Sequence, residues 1–136
     1  MSSSLYLADT SALFRLFQKG VREEWAGQLT AGLIAVCPVV ELEFLYSARS
    51  PADRVDKQEL LRRLFPWVPM PEHAFARAQE LQSVLTESGQ HRSAGAVDLL
   101  IAATAELEEL VVLHDDRDYE TVSRLTGLPV KRVGKG

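Results

Sequence analysis

One stretch decides the fold: Val97-Asp98-Leu99-Leu100-Ile101-Ala102-Ala103-Thr104-Ala105-Glu106-Leu107. It is apolar on nearly every side of the helix that it would form, and a helix without a polar face belongs in the middle of a domain. Asp98 would lie in the first turn, where a carboxylate is tolerated only if the helix dipole, a hydrogen bond or a cation offsets its desolvation. Complementing the dipole is the simpler role for an isolated acid at this position. Other residues must therefore decide whether Asp98 does more.

Short apolar runs alternate with helical patterns on both sides of this stretch. Strands are predicted at residues 5–8, 33–37, 110–113 and 129–133, and a brief further strand at Trp67-Val68. Helices are predicted between them, among others over 22–30 and 39–49. Strands separated by helices imply a parallel sheet with right-handed crossovers. We therefore expect an α/β fold, with three α/β/α layers and a central parallel sheet of four to five strands.

Composition limits the class of protein. The 136 residues suit one domain, 1–136, and the 46% hydrophobic and 25% charged residues are typical of a soluble globular chain. No apolar run is long enough to span a bilayer, and the Met-Ser-Ser-Ser start lacks the features of an export signal, so we expect a cytoplasmic protein with no membrane partner. One cysteine, Cys37, excludes an internal disulfide. The net charge of −4 argues against nucleic-acid binding over the whole surface, so contact with a polyanion must be local and metal-assisted.

Acidic residues recur at places that a parallel sheet would bring together. Asp9 and the cluster Asp115–Asp118 follow predicted strands, while Glu43 and Asp98 begin helices near the same edge. Carboxylates about 4 to 5 Å apart repel each other by about 3 to 4 kcal/mol per pair at an effective dielectric near 20. A domain that is stable by about 5–15 kcal/mol cannot absorb several such pairs, and a divalent cation removes the repulsion. Glu41 lies about 200° around the helix from Glu43, so only one of the two can face such a site.

The donor set narrows the choice of ion and reaction. Oxygen ligands without paired histidines or cysteines favour Mg²⁺, with Mn²⁺ as a substitute, over zinc. Such ions activate water and stabilise charge on phosphoryl groups. Because no glycine-rich phosphate loop is present, hydrolysis of nucleoside triphosphates is disfavoured. Metal-assisted cleavage of a phosphodiester or a phosphomonoester remains.

Four segments carry a resemblance to a known family. The chain resembles the PIN-domain nucleases, and most of all the VapC toxins of bacterial VapBC toxin–antitoxin pairs, at Leu7–Leu13, Glu43–Arg49, Asp98–Ala105 and Leu113–Tyr119. The resemblance implies a PIN-like three-layer domain and a Mg²⁺-dependent endoribonuclease toxin that acts on structured RNA such as transfer RNA. It also implies neutralisation by a cognate VapB-type antitoxin, and a homodimer.

The resemblance assigns roles by position in the motifs. It implies that the catalytic and metal-holding acids are Asp9, Glu43, Asp98 and Asp116. Glu43 is preferred to Glu41 because it directly precedes Phe44 and the pattern at Leu45–Ala48. Asp118 matches a further supporting acid, and Ser11 is expected to hydrogen-bond a ligand carboxylate or a bound water. Asp115 is less typical of the family and leaves open which acid of its cluster ligates directly.

Basic and aromatic residues allow two interpretations each. Arg92 and Arg117 are the arginines best placed to meet phosphates, or they only neutralise neighbouring carboxylates. For His91 and His114 we expect a surface or supporting role. Core packing is predicted for four aromatic residues, namely Trp25, Tyr46, Trp67 and Phe75. An antitoxin helix is expected in a groove between the helices near 21–30 and 52–65.

Two other functions compete with the nuclease. The first is an inactive PIN-like module that only binds a partner protein. The second is a phosphatase or receiver-type phosphoacceptor on the same sheet. The phosphoacceptor fits poorly because no second aspartate follows Asp9 two residues later and no lysine follows the late strand in the expected place.

Overall fold

A parallel four-stranded sheet lies at the centre of the computed structural model, which describes residues 4–134. In the order β2-β1-β3-β4, its strands are β1 Tyr6–Ala8, β2 Ile34–Ala35, β3 Val111–His114 and β4 Val130–Arg132. Leu7 of β1 pairs with Ala35 of β2 and with Val112 of β3. Because β1 and β3 are adjacent and parallel, the residues that follow them meet at one edge of the sheet, which we call the carboxyl edge.

A brief extension continues the sheet beside β2. Val36 and Trp67 form a single parallel bridge, with the amide of Val68 donating to the carbonyl of Val36 at 2.8 Å. Pro66 and Pro69 flank this pair, and proline removes the backbone donor that a longer ladder needs. The strand predicted at Trp67-Val68 is therefore reduced to one bridge.

Helices connect the strands and cover both faces of the sheet, as the predicted α/β/α layering requires. Their bounds are α1 Thr10–Leu16, α2 Lys19–Glu24, α3 Ala26–Thr30, α4 Pro38–Leu45, α5 Pro51–Leu64, α6 Ala74–Glu87, α7 Ala96–Leu107 and α8 Asp118–Thr126. None of the helices within residues 4–134 has the length and hydrophobicity to span a membrane. The predicted fold class, a parallel sheet of four to five strands between helices, is confirmed.

Two predicted helix boundaries are wrong. The helix predicted over 22–30 is broken at Trp25, whose backbone leaves the helical region with φ −101° and ψ 10°. The Trp25 indole is buried and its Nε1 donates to the carbonyl of Val133 at 2.9 Å, so a distant contact fixes this residue against the local helical pattern. Helix α4 ends at Leu45, short of the predicted Arg49.

Helix α7 is the buried helix that its sequence predicts. It packs against α6, α4 and the two central strands. Ile101, Ala102, Ala103 and Ala105 are each at most 1% exposed. Thr104 of α7 is also buried, and its hydroxyl donates to the carbonyl of Leu100 at 2.8 Å. This packing positions the first turn of α7, and therefore Asp98, beside the carboxyl edge.

Candidate active site

Asp9 leaves β1 and begins α1 as its N-cap. Its Oδ1 accepts from the amide of Ala12 at 2.9 Å and from the hydroxyl of Ser11 at 2.7 Å. The residue is 4% exposed, and this burial raises the pKa of Asp9 from 3.8 to about 6 in spite of both hydrogen bonds. Repulsion from Asp98 and Asp116 adds to the increase. At neutral pH the fold therefore holds a buried negative charge that its own hydrogen bonds do not fully stabilise.

Asp98 lies in the first turn of α7 and has two hydrogen-bond partners. Its Oδ2 accepts from the amide of Gly95 at 3.3 Å, which caps the helix, and its Oδ1 accepts from the hydroxyl of Tyr119 at 3.4 Å. Burial is the main cause that raises the pKa of Asp98, and the charges of Asp116 and Glu43 raise it further. Asp98 therefore caps α7, and the charges of neighbouring acids also raise the pKa of its carboxylate.

Glu43 and Glu41 face different parts of the protein. Glu43 accepts a hydrogen bond from the hydroxyl of Thr10, the residue after Asp9, at 2.5 Å. Glu41 instead accepts from Nε2 of Gln58 at 3.1 Å, on α5. Glu43 is therefore the member of the pair that lies with the acids of the carboxyl edge, on the side of α4 that the motif resemblance favours.

The acidic cluster after β3 divides in two directions. The negative charge of Asp116 raises the pKa of Asp9 and of Asp98. Its Oδ1 accepts from the amide of Asp118, at the start of α8, at 2.9 Å. Asp115 lies between two arginines, and its amide donates to the hydroxyl of Ser11 at 2.9 Å. Asp116 thus lies with the other acids, whereas the side chain of Asp115 faces Arg15 and Arg132. Asp118 contributes its backbone amide to Asp116.

Tyr119 belongs to this site, although its spacing had not singled it out. It is 1% exposed, and its hydroxyl is the donor to Asp98. Burial together with the charges of Asp9, Asp98 and Glu43 raises the pKa of Tyr119 well above 10, so its hydroxyl keeps its proton. A buried tyrosine after an acidic cluster is indistinguishable in sequence from a core residue, and only the direction of its hydroxyl reveals the contact.

His114 supports the same loop from inside. Its side chain is fully buried, and Nδ1 accepts from the amide of Asp116 at 3.2 Å. Burial lowers the pKa of His114 below 6.5, so the ring is neutral at physiological pH. A surface position is therefore excluded for His114, whereas His91 is exposed.

The two predicted phosphate-binding arginines, Arg92 and Arg117, are both exposed. Neither forms an ion pair with any residue in 4–134, so the alternative in which they neutralise neighbouring carboxylates has no contact to support it. Their contact with phosphate stays a prediction.

Three of the four aromatic residues predicted to pack in the core do not do so. Tyr46 is 92% exposed, Phe75 68% and Trp67 56%, whereas Trp25 is buried as predicted. Helical spacing locates an aromatic residue on a face but does not show which face another element covers. The packing prediction is therefore wrong for Tyr46, Phe75 and Trp67.

The acids fit a hard divalent cation in chemistry and charge. Four segments supply carboxylate oxygens. Burial is the main cause of the raised pKa values of Asp9 and Asp98, and repulsion from neighbouring carboxylates adds to it. Within residues 4–134, however, no three His, Cys, Asp or Glu side chains already stand at the spacing of metal ligands. The site is thus a set of neighbouring carboxylates whose charge a cation would offset.

The chain is similar in sequence to known proteins. A family model described as PIN domain matches residues 6–125. The chain is 38% identical over 128 residues to Ribonuclease VapC21 of Mycobacterium tuberculosis, covering 94% of this chain and 93% of the relative, and 37% identical over 141 residues to Ribonuclease VapC2 of the same species, covering 98% and 95%.

Solved structures share the fold at low sequence identity. VapBC2 from Rickettsia felis, bound to a DNA fragment from its promoter, matches with a TM-score of 0.78 at 16% identity, covering 94% of this chain and 98% of that one. VapBC-1 from nontypeable Haemophilus influenzae matches with a TM-score of 0.77 at 19% identity, covering 96% and 99%. The predicted resemblance is confirmed.

Proposed function

Because this chain belongs to the PIN-domain family, we propose that it is a Mg²⁺-dependent endoribonuclease toxin that cleaves RNA phosphodiester bonds. Its proposed substrate is structured RNA such as transfer RNA, and its proposed inhibitor is a cognate VapB-type antitoxin. The names of its relatives, VapC ribonucleases, support the reaction, and the VapBC complexes among the similar folds support the partner. The observation that carries the proposal is the buried Asp9, whose pKa is raised by burial and by two other acids of the carboxyl edge.

In this proposal four acids hold Mg²⁺, with Mn²⁺ as a substitute: Asp9, Glu43, Asp98 and Asp116. When bound, the ion lowers the pKa of water and stabilises negative charge on the phosphoryl group. Ser11 orients the Asp9 carboxylate through its hydroxyl, and Tyr119 does the same for Asp98. Asp118 supports Asp116 through its backbone amide.

The same proposal gives the outer groups their roles. His114 accepts from the backbone amide of Asp116 and takes no part in proton transfer, because its ring is fully buried and out of reach of the substrate. Arg92 and Arg117, both exposed, contact phosphates of the RNA. The whole chain, 1–136, is proposed to act as a single cytoplasmic domain that forms homodimers.

A groove beside α5 is the proposed antitoxin site. A cavity of about 550 Å³ is lined by apolar Leu61, Phe65 and Trp67 together with the charged pair Glu41 and Arg62. The prediction gave α5 a partner near residues 21–30, whereas this cavity lies between α5, α4 and the bridge at Trp67. An antitoxin segment with apolar side chains fits these walls.

A cleavage assay tests the proposal. We expect the purified chain to cleave RNA with Mg²⁺ and not with EDTA, and to leave a 5′-phosphate and a 3′-hydroxyl. Asp98→Asn should stay folded but lose RNA cleavage and growth inhibition, because it removes the negative charge of one carboxylate that is proposed to bind the metal. Asp56→Asn, at an exposed acid of α5, is the matched control and should retain both. Full cleavage by Asp98→Asn with Mg²⁺ present would exclude the assigned role of Asp98.

The second candidate function is a partner-binding module without catalysis. The ribonucleases among the relatives of this chain weigh against such a module, as do the acids that lie together at the carboxyl edge. A folded chain that binds its antitoxin but neither Mn²⁺ nor RNA would establish this function in place of the nuclease.

A further inference from the structure

Asp115 lies between two guanidinium groups at the carboxyl edge. Its Oδ2 is 3.5 Å from Nε of Arg15 on α1, and its Oδ1 is 3.6 Å from Nε of Arg132 on β4. Both Nε atoms are buried, although the side chains are 37% and 34% exposed. The exposed surface therefore belongs to other atoms of each side chain, while each buried Nε forms an ion pair, without a hydrogen bond, with Asp115.

This cluster carries a net positive charge next to the acids. Two guanidinium groups, which stay protonated, face one carboxylate, so the cluster of Arg15, Asp115 and Arg132 has a net charge of about +1. The amide of Asp115 donates to Ser11, whose hydroxyl donates to Asp9. The arginines are thus one hydrogen-bonded residue away from the proposed reaction site.

Gly134 lies against the guanidinium of Arg15, where a Cβ atom would approach Nη2 to 2.9 Å. A larger residue at position 134 would press on that group. Glycine at this position therefore avoids a clash with the Arg15 guanidinium.

An RNA strand needs such cations at this position. The four acids of the carboxyl edge repel a phosphodiester chain, and the overall charge of −4 offers no general attraction. Arg92 and Arg117 are exposed and unpaired within residues 4–134, so they are free to reorient. Arg15 and Arg132 instead each form an ion pair with Asp115, and a guanidinium fork matches the oxygen atoms of a phosphate.

We propose that Arg15 and Arg132, held by Asp115, form a binding subsite for a backbone phosphate of the RNA next to the phosphodiester that is cleaved. The inference rests on the proposed ribonuclease function, and it adds two substrate-binding residues that the motif pattern does not contain. Asp115 is then a positioning residue for the two arginines and not a ligand of the metal.

The test measures RNA binding as a function of salt. Fluorescence anisotropy with a labelled single-stranded RNA, in EDTA to prevent cleavage, gives the affinity between 50 and 200 mM KCl. Arg15→Gln and Arg132→Gln should each weaken binding about tenfold at low salt, the loss typical of one charged hydrogen bond. Each should also reduce the slope of log affinity against log salt by about 0.7, the value for one lost phosphate contact on a single strand.

Control variants separate this subsite from a general charge effect. Arg124→Gln changes the net charge equally at an exposed site on α8 and should leave the slope unchanged. Arg132→Lys keeps the charge and should retain the slope with a smaller loss of affinity. Thermal unfolding confirms that each variant is folded, and Arg132→Gln decides the matter if Arg15→Gln is unstable.

The outcomes are distinguishable. If the wild-type chain neither binds nor cleaves RNA, the proposed function itself fails. If it cleaves RNA and both glutamine variants bind with the wild-type affinity and slope, only the phosphate subsite is overturned. If the same variants keep RNA binding but lose the antitoxin complex, the cluster binds an acidic segment of that protein, and the subsite is likewise overturned.

Discussion

Replacing Asp9 by asparagine should stabilise the metal-free protein at neutral pH. Asparagine is as good an N-cap as aspartate, so its oxygen keeps the contacts with Ala12 and Ser11 while the buried charge is removed. The pKa of Asp9 is about 6 in the folded chain and 3.8 when unfolded, which at 1.36 kcal/mol per pH unit makes its charge cost about 3 kcal/mol. For a chain of this length that corresponds to an increase in Tm of about 10 °C.

The sign of this effect depends on pH. Below pH 3.8 the carboxyl is protonated in both states, and Asp9 carries no penalty. Between pH 3.8 and about 6 the unfolded chain has lost the proton and the folded chain has not, so stability falls as the pH rises. Above pH 6 the full penalty is present. The stability gained in Asp9→Asn should therefore appear between pH 4 and pH 7.

Urea unfolding in EDTA at pH 4.0 and pH 7.5 measures the difference. We expect the two proteins to agree within about 1 kcal/mol at pH 4.0, and the variant to be more stable by up to about 3 kcal/mol at pH 7.5. Adding Mg²⁺ at about one thousand times its Kd should reverse this order, because an ion that binds only the folded wild type then stabilises it by about 4.1 kcal/mol. A variant that is less stable than wild type at pH 7.5, or a difference that does not change with pH, would refute the reasoning.

Three further changes are informative. Tyr119→Phe removes only the hydroxyl that donates to Asp98, so Mn²⁺ affinity should fall about tenfold in a calorimetric titration while Tm changes little; an unchanged affinity would make Tyr119 a packing residue only. Glu43→Gln should reduce RNA cleavage at least 10- to 100-fold in a gel assay, whereas Glu41→Gln, whose side chain contacts α5, should retain activity; the reverse result would exchange their roles. Because burial lowers the pKa of His114, the folded chain resists protonation of this ring and loses stability as the pH falls through 6.5. His114→Gln should therefore flatten the dependence of the unfolding free energy on pH between 5 and 7. An unchanged slope would argue against a buried neutral ring.

The sequence predicts the fold well where the signal is local and repeated. Apolar runs separated by helical patterns predict the parallel sheet, and the stretch from Val97 to Leu107 predicts the buried α7. The break at Trp25 could not be predicted, since it depends on a hydrogen bond to Val133, 108 residues away. The reduction of the strand at Trp67 to one bridge is partly readable from its flanking prolines.

For the candidate site, the sequence predicts where residues lie along the chain and the fold, but not where their side chains point. The positions of Asp9 and Asp98 at the carboxyl edge follow from topology, because each lies at a junction of predicted elements. The direction in which each side chain points does not follow, and the cluster after β3 shows this: Asp115 and Asp116 are neighbours in sequence, yet Asp115 faces Arg15 while Asp116 faces the acids. The hydrogen bond from the Tyr119 hydroxyl to Asp98 could not be predicted either, because it also depends on side-chain direction.

The central claim is that acids from separate elements share one divalent cation, and titration of Mn²⁺ into the folded chain by isothermal calorimetry tests it most directly. We expect the wild-type protein to bind Mn²⁺ and Asp98→Asn, with an unchanged fold, to lose most of that binding. A folded wild-type chain that takes up no Mn²⁺, or an Asp98→Asn variant that binds it as well as wild type, would contradict the claim.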